Sequence, residues 1–316
     1  MPSLRVLEFP DSGMRYDEVL LKCRFTNLLY PWFQRAEDFI TVMRRCSAVV
    51  SESVALAFFL GPFYIKPNDL DIYTPRDRAE TLVSYLTVHE AYTLIPCTRG
   101  GDYSMGVHAT YRLSKGDRYI NVVQANGYSA LLPICQFWST ILMNFVWADG
   151  YCCPYPSMLV EQRGLIHRSF DDNGSALKLL PLISKYNKRG ITTCSDNREW
   201  AAENVCPGQG CCPSSWRYFG DEHCLVSIFP GGDDEGDPID QARLDTAVVW
   251  RLGGGSCPGP CRNTYGSIQW KAFELSERLR REATEWIDGK GKYEVEELQE
   301  VMEGNVNIQF RRPTGS

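Results

Sequence analysis

The sequence predicts an α+β protein with an α/β core, a mixed sheet flanked by helices, followed by a cysteine-rich, partly helical C-terminal region. Three observations predict it. Apolar runs of strand length alternate with helical periodicity over residues 16–89. Three strand-like stretches then follow one another at 91–95, 107–113 and 119–124. Further on the composition changes, with seven cysteines between Thr193 and Cys261 set among Gly, Pro and acidic residues.

Each element has its own signal. Residues 1–34 read as a loose start and a helical lead-in. Val19, Leu20, Cys23, Phe33, Phe39 and Val42 give helical spacing from 16 to about 45, interrupted at Pro31. Ala48-Val49-Val50-Ser51 is a short apolar run that reads as a buried strand. Residues 53–60 read as a buried helix stopped by Gly61-Pro62. Asp69 to Tyr73 forms the next strand, ended by Pro75, and 76–89 form an amphipathic helix on Leu82, Val83, Leu86 and Val88. Ser114-Lys115-Gly116-Asp117 turns one strand of the meander into the next. Residues 132–147 are apolar throughout and predict a helix.

These elements make a domain over 35–150, with 151–316 packed on it. In that second part, 151–156 reads as a loop and 231–237 as an acidic loop. Ile268, Ala272, Leu275, Leu279, Ala283 and Trp286 fall on one helical face.

Composition narrows the function. The 316 residues are 44% hydrophobic and 23% charged, with a net charge of −6 and a pI near 5.4. An acidic chain is a poor broad electrostatic partner for nucleic acid. No apolar run reaches the roughly 18 residues of a membrane span, and the N-terminus lacks a signal-peptide core. The expected location is cytoplasmic or nuclear, where most of the 13 cysteines stay free thiols.

The chemistry concentrates in Ser51-Glu52-Ser53 and Asp69-Leu70-Asp71-Ile72-Tyr73. Carboxylates at i and i+2 on a strand share a face, and two so close repel unless a cation lies between them. A small-residue turn opening a helix offers N–H groups to phosphate.

Residues 47–73, with Tyr119-Ile120-Asn121-Val122-Val123, resemble the core of the nucleotidyltransferase superfold. The chain is also similar to a group of fungal proteins that carry this fold in their N-terminal half, a likeness that includes residues 138–145 and the cysteine-rich segment. The resemblance implies a nucleotidyltransferase-like domain in which Asp69 and Asp71 are the catalytic ligands of Mg²⁺ or Mn²⁺. Ser51, Ser53 and Asn121 then line the nucleotide side.

Two positions depart from that pattern. Glu52 stands where the superfold has glycine, adding bulk and negative charge beside a polyphosphate. Asn121 stands where a third carboxylate belongs; Asp117, in the preceding turn, is the nearest acid that could reach in, and the reading does not rely on it.

Two functions follow from this. One is metal-dependent nucleotidyl or phosphoryl transfer, or nucleotide binding, with an acceptor the sequence does not name. The other is a catalytically inactive scaffold of the same fold acting through a protein partner. Separately, Cys206, Cys211, Cys257 and Cys261 are spaced as two thiol pairs that could hold a structural Zn²⁺. His89, His108 and His167 lack spaced partners and read as structural.

Overall fold

The computed structural model describes residues 18–96, 106–167, 175–195, 212–213, 215–229, 248–253 and 271–274. In chain order the elements begin α1 (Glu18–Leu29), α2 (Ala36–Arg45), β1 (Val49–Ser51), α3 (Glu52–Leu60), β2 (Asp69–Thr74) and α4 (Ala79–Val88). The meander β3 (Thr93–Ile95), β4 (Val107–Lys115) and β5 (Arg118–Ala125) follows. Then come β6 (Phe145–Trp147), β7 (Gly150–Cys153), α5 (Pro156–Val160), β8 (Arg163–Leu165), α6 (Ser175–Asn187) and β9 (Thr192–Cys194). The last are β10 (Arg217–Tyr218), β11 (Leu225–Ile228), β12 (Val248–Arg251) and β13 (Lys271–Glu274).

Eight strands form one mixed sheet in the order β11-β7-β6-β1-β2-β5-β4-β3. Neighbours are antiparallel except β2 and β5, which run parallel. A parallel pair needs a long crossover, and α4 with the β3–β4 ladder supplies it. The fold is therefore α+β with a mixed, helix-flanked sheet. No described helix is long and apolar enough to cross a membrane.

Strand alternation divides the core between the two faces of the sheet. Val50, Ile72 and Val122 point to one side, where they pack with Phe25, Phe39, Phe58 and Leu82 of α1–α4. Val49, Tyr73 and Val123 point to the other and meet Phe145, Phe219 and Trp250. Buried on both faces, these strands read as continuous apolar runs rather than as alternation. Helix α2 puts Glu37 and Asp38 in its first turn and Arg44 and Arg45 in its last, matching the helix dipole. Gly61 ends α3 at φ +97°, a conformation that favours glycine.

Several expectations need correction. Residues 132–147 do not form one helix. Pro133 precedes a 3₁₀ turn (Ile134–Gln136), a second follows (Thr140–Leu142), and Phe145–Trp147 becomes β6 inside the sheet. An apolar run buried on all sides has no periodicity to separate helix from strand. Trp147 and Gly150 are partners across the two-residue turn Ala148-Asp149, so the chain reverses here as a hairpin. Arg44 of α2 fixes that turn, donating from Nε to Asp149 Oδ2 at 2.9 Å.

Residues 150–153 are likewise strand β7 rather than loop. Lys271–Glu274 pairs with β12 as a strand, so the helix expected from Ile268 does not include these residues. The expected boundary at 150 falls within the β6–β7 hairpin, and β11 joins the same sheet through β7. Cys206, Cys211, Cys257 and Cys261, the expected zinc ligands, lie outside the described residues.

His167, buried behind Trp138, has its pKa pushed down to about 3 by burial alone. The unfolded chain binds this proton near the ordinary value of about 6.5. Between those values the unfolded state holds more protons, so stability falls as pH drops through the window. The slope for one proton is about 1.4 kcal/mol per pH unit. Urea melts from pH 7 to pH 4 are expected to show this slope in wild type and a shallower one in His167→Asn.

Candidate functional site

The site forms where β1 turns into α3 beside the start of β2. Ser51 closes β1 in extended geometry, and its hydroxyl donates to the carbonyls of Asn144 (2.7 Å) and Leu142 (3.3 Å). That use ties β1 to the entry of β6 and leaves Ser51 making no side-chain cap on α3. Glu52 then adopts φ +55°, the left-handed region that favours glycine, and the helix begins. The backbone thus keeps a glycine-type conformation at a glutamate, which costs on the order of 1 kcal/mol. The Ser53 hydroxyl is buried one residue further on and has no hydrogen-bond partner among the described residues.

Asp69, Asp71 and Tyr73 alternate along β2 onto one face. The parallel register sets Asp69 beside Tyr119 and Asp71 beside Asn121. Asn121 Nδ2 donates to Asp71 Oδ1 at 2.9 Å. One strand further, Arg112 pairs with Asn121 in register and lays its guanidinium 4.9 Å above the Tyr119 ring. Tyr73 donates its hydroxyl to Glu52 Oε1 at 2.6 Å. Asp69 is half-buried and has no hydrogen-bond or ion-pair partner among the described residues. Asp117 sits exposed at the β4–β5 turn, paired with Arg118 at 3.5 Å, and is not part of this group.

The charges oppose one another. Burial pushes the Asp71 carboxyl well above the usual carboxylate range; the negative charges of Glu52 and Asp69 raise it further, and the Asn121 amide partly offsets them. Glu52 is also raised, first by burial; the Tyr73 hydrogen bond opposes that and the Asp69 charge adds to it. Lys185 of α6 lowers both. Glu52, Asp69 and Asp71 thus form one electrostatic group, with Glu52 supplied by the start of α3. Among the described residues, no three His, Cys, Asp or Glu side chains come together closely enough to hold a metal ion by themselves. Two carboxylates can still seat Mg²⁺ when phosphate oxygens and water supply the rest of an octahedron.

The structure therefore brings together Asp69, Asp71 and Asn121, sets Ser53 next to Glu52 at the start of α3, and engages Ser51 elsewhere. It adds Glu52 as a neighbouring acid, together with Arg112 and Lys185. Glu52 had a visible signal, since the chain carries an acid where a glycine conformation is needed. Lys185 had none, because only the fold brings α6 to β2. Comparison with known proteins returns no match among family models, curated proteins or solved structures.

Asp71→Asn removes a carboxyl that burial and two like charges disfavour, and an amide oxygen can still accept from Asn121. A carboxyl raised above its unfolded value stabilises below the unfolded pKa and loses that contribution as pH rises through the folded one. At pH 7 the metal-free variant is expected to melt about 1–2 °C above wild type, the shift about 1 kcal/mol gives in a chain of 316 residues. A lower melting temperature would show that Asp71 is held by a favourable network instead.

Proposed function

We propose that this chain is a nucleotidyltransferase-like protein that binds a divalent cation, Mg²⁺ or Mn²⁺, together with a nucleotide at Asp69 and Asp71. The observation that carries the reading is the pair of β2 carboxylates grouped electrostatically with Glu52 at the start of α3, where the buried Ser53 hydroxyl has no hydrogen-bond partner among the described residues. The glycine-type backbone at Glu52 supports it, since the superfold has glycine at that position. So does the parallel β2–β5 register, which sets Asn121 where the third acid is expected.

The residues fit the cation in a definite way. Asp69 offers a carboxylate with no hydrogen-bond or ion-pair partner among the described residues, while Asp71 offers the oxygen that Asn121 does not occupy. When bound, the cation would neutralise charge on phosphate oxygens and align them for displacement. Ser53 and the first N–H groups of α3 would orient a phosphate against the helix end. Asn121 holds Asp71 in place, and Tyr73 holds Glu52 back from the phosphates. The acceptor of any transferred group is set by parts of the surface outside this pair.

A second reading is favoured by two of the same contacts. Asn121 on Asp71 and Tyr73 on Glu52 satisfy the acids internally, as an inactive scaffold working through a protein partner would require. Calorimetric titration of ATP in the presence of Mn²⁺ separates the two. The first reading expects saturable binding that Asp69→Ala/Asp71→Ala abolishes, and no binding by folded wild type supports the scaffold.

Glu52→Gly gives a further expectation. It restores a residue suited to φ +55° and removes a negative charge facing the phosphates, so ATP is expected to bind several-fold more tightly in the same titration. Weaker binding would give Glu52 a positive role.

A further inference from the structure

The C-terminal end of α6 brings positive charge to the rim of the acidic group. Arg189 lies two residues beyond the helix, and its Nη2 donates to the Lys66 carbonyl at 3.5 Å. Lys66 lies just ahead of Asp69 in the chain, so this contact sets the guanidinium beside the entry to β2. The guanidinium also lies 5.1 Å from the centre of the Tyr186 ring. Tyr186 is only 3% exposed and packs against Trp138 at 5.7 Å, which makes it a rigid support. Lys185, exposed to solvent, places its ammonium 5.6 Å from the same ring. The tyrosine hydroxyl is held protonated chiefly by burial, and then by the charges of Glu52, Asp71 and Asp69, which places the acids and the two cations about one side chain.

Neither cation forms an ion pair with Glu52, Asp69 or Asp71. Arg189 Nη1 is buried with no hydrogen-bond partner among the described residues, as is the Ser53 hydroxyl. A buried donor left unmatched carries a desolvation penalty. An anion arriving between α6 and β2 would remove it.

We propose that Lys185 and Arg189 form the anion-binding half of this site and hold the polyphosphate chain of a nucleotide. A cation on Asp69 and Asp71 would meet its other oxygens. The planar guanidinium suits two phosphate oxygens at once, and the lysine supplies a mobile point charge. This inference rests on the function proposed above.

The test is calorimetric titration with tripolyphosphate and with ATP, each in Mn²⁺, on wild type, Lys185→Gln and Lys185→Gln/Arg189→Gln. Mn²⁺ alone is titrated in parallel. Tripolyphosphate and ATP are both expected to bind the double variant about tenfold or more weakly, the loss one charge-assisted contact gives. Lys185→Gln, whose side chain is exposed and leaves the fold intact, is expected to lose part of that affinity. Mn²⁺ alone should bind Lys185→Gln at least as tightly as wild type, because a repelling cation is gone.

Unchanged tripolyphosphate affinity in Lys185→Gln would overturn the inference, whatever the double variant does. If Mn²⁺ binding requires Asp69 and Asp71 while polyphosphate ignores Lys185, only the inference fails. If Mn²⁺ does not bind wild type, or binds Asp69→Ala/Asp71→Ala equally, the proposed function fails and the inference with it.

Discussion

Negative charge confined at the meeting of β1, α3 and β2 is the constraint around which this structure is arranged. Asp71 is 7% exposed in the middle of the sheet, where water cannot solvate a carboxylate well. Glu52 and Asp69 add their charge to the same volume. The surrounding groups answer it one by one. Asn121 offers an amide donor, Tyr73 a hydroxyl, and α6 brings Lys185 near. Each is a partial answer, because a neutral donor stabilises a carboxylate without cancelling its charge. Buried acids raised by burial and by one another are what the proposed function builds on.

The backbone obeys the same logic. Glu52 sits at φ +55° with an acid side chain, although glycine would meet that conformation at no steric cost. Its carboxyl is held by Tyr73, a residue buried against Phe137. The outcome is an acid at the start of α3 and an amide on β5, with the parallel β2–β5 pairing holding Asn121 against Asp71. Charge on this side of the sheet and positive charge on α6 face each other without neutralising. That geometry suits a ligand carrying both a cation and an anion, as a metal–nucleotide complex does.

The centre of the fold was legible in the sequence. The strands around Val49, Asp69 and Tyr119 and the helix stopped by Gly61 lie where local signals put them. The Gly116-Asp117 turn also forms as the spacing indicated, joining Lys115 to Arg118 across the hairpin. Legibility ended where burial erased periodicity. Phe145-Val146-Trp147 is enclosed on every side, so its local pattern does not separate strand from helix. Lys271–Glu274 is strand by virtue of its partner β12, a fact no local window carries. At the site, Asp69, Asp71 and Ser53 could be named from spacing. The approach of Lys185 and Arg189 could not, because it depends on how α6 docks against Trp138 and the loop holding Lys66.

The central claim is the proposal that Asp69 and Asp71 seat a metal–nucleotide complex. Crystals grown with Mn²⁺ and a non-hydrolysable ATP analogue, measured at the manganese absorption edge, test it directly. The account predicts an anomalous peak about 2.1–2.2 Å from carboxylate oxygens of both Asp69 and Asp71, with phosphate oxygens in its coordination shell. A map with no anomalous peak at β2, and with the Asn121–Asp71 and Tyr73–Glu52 hydrogen bonds undisturbed, would contradict it.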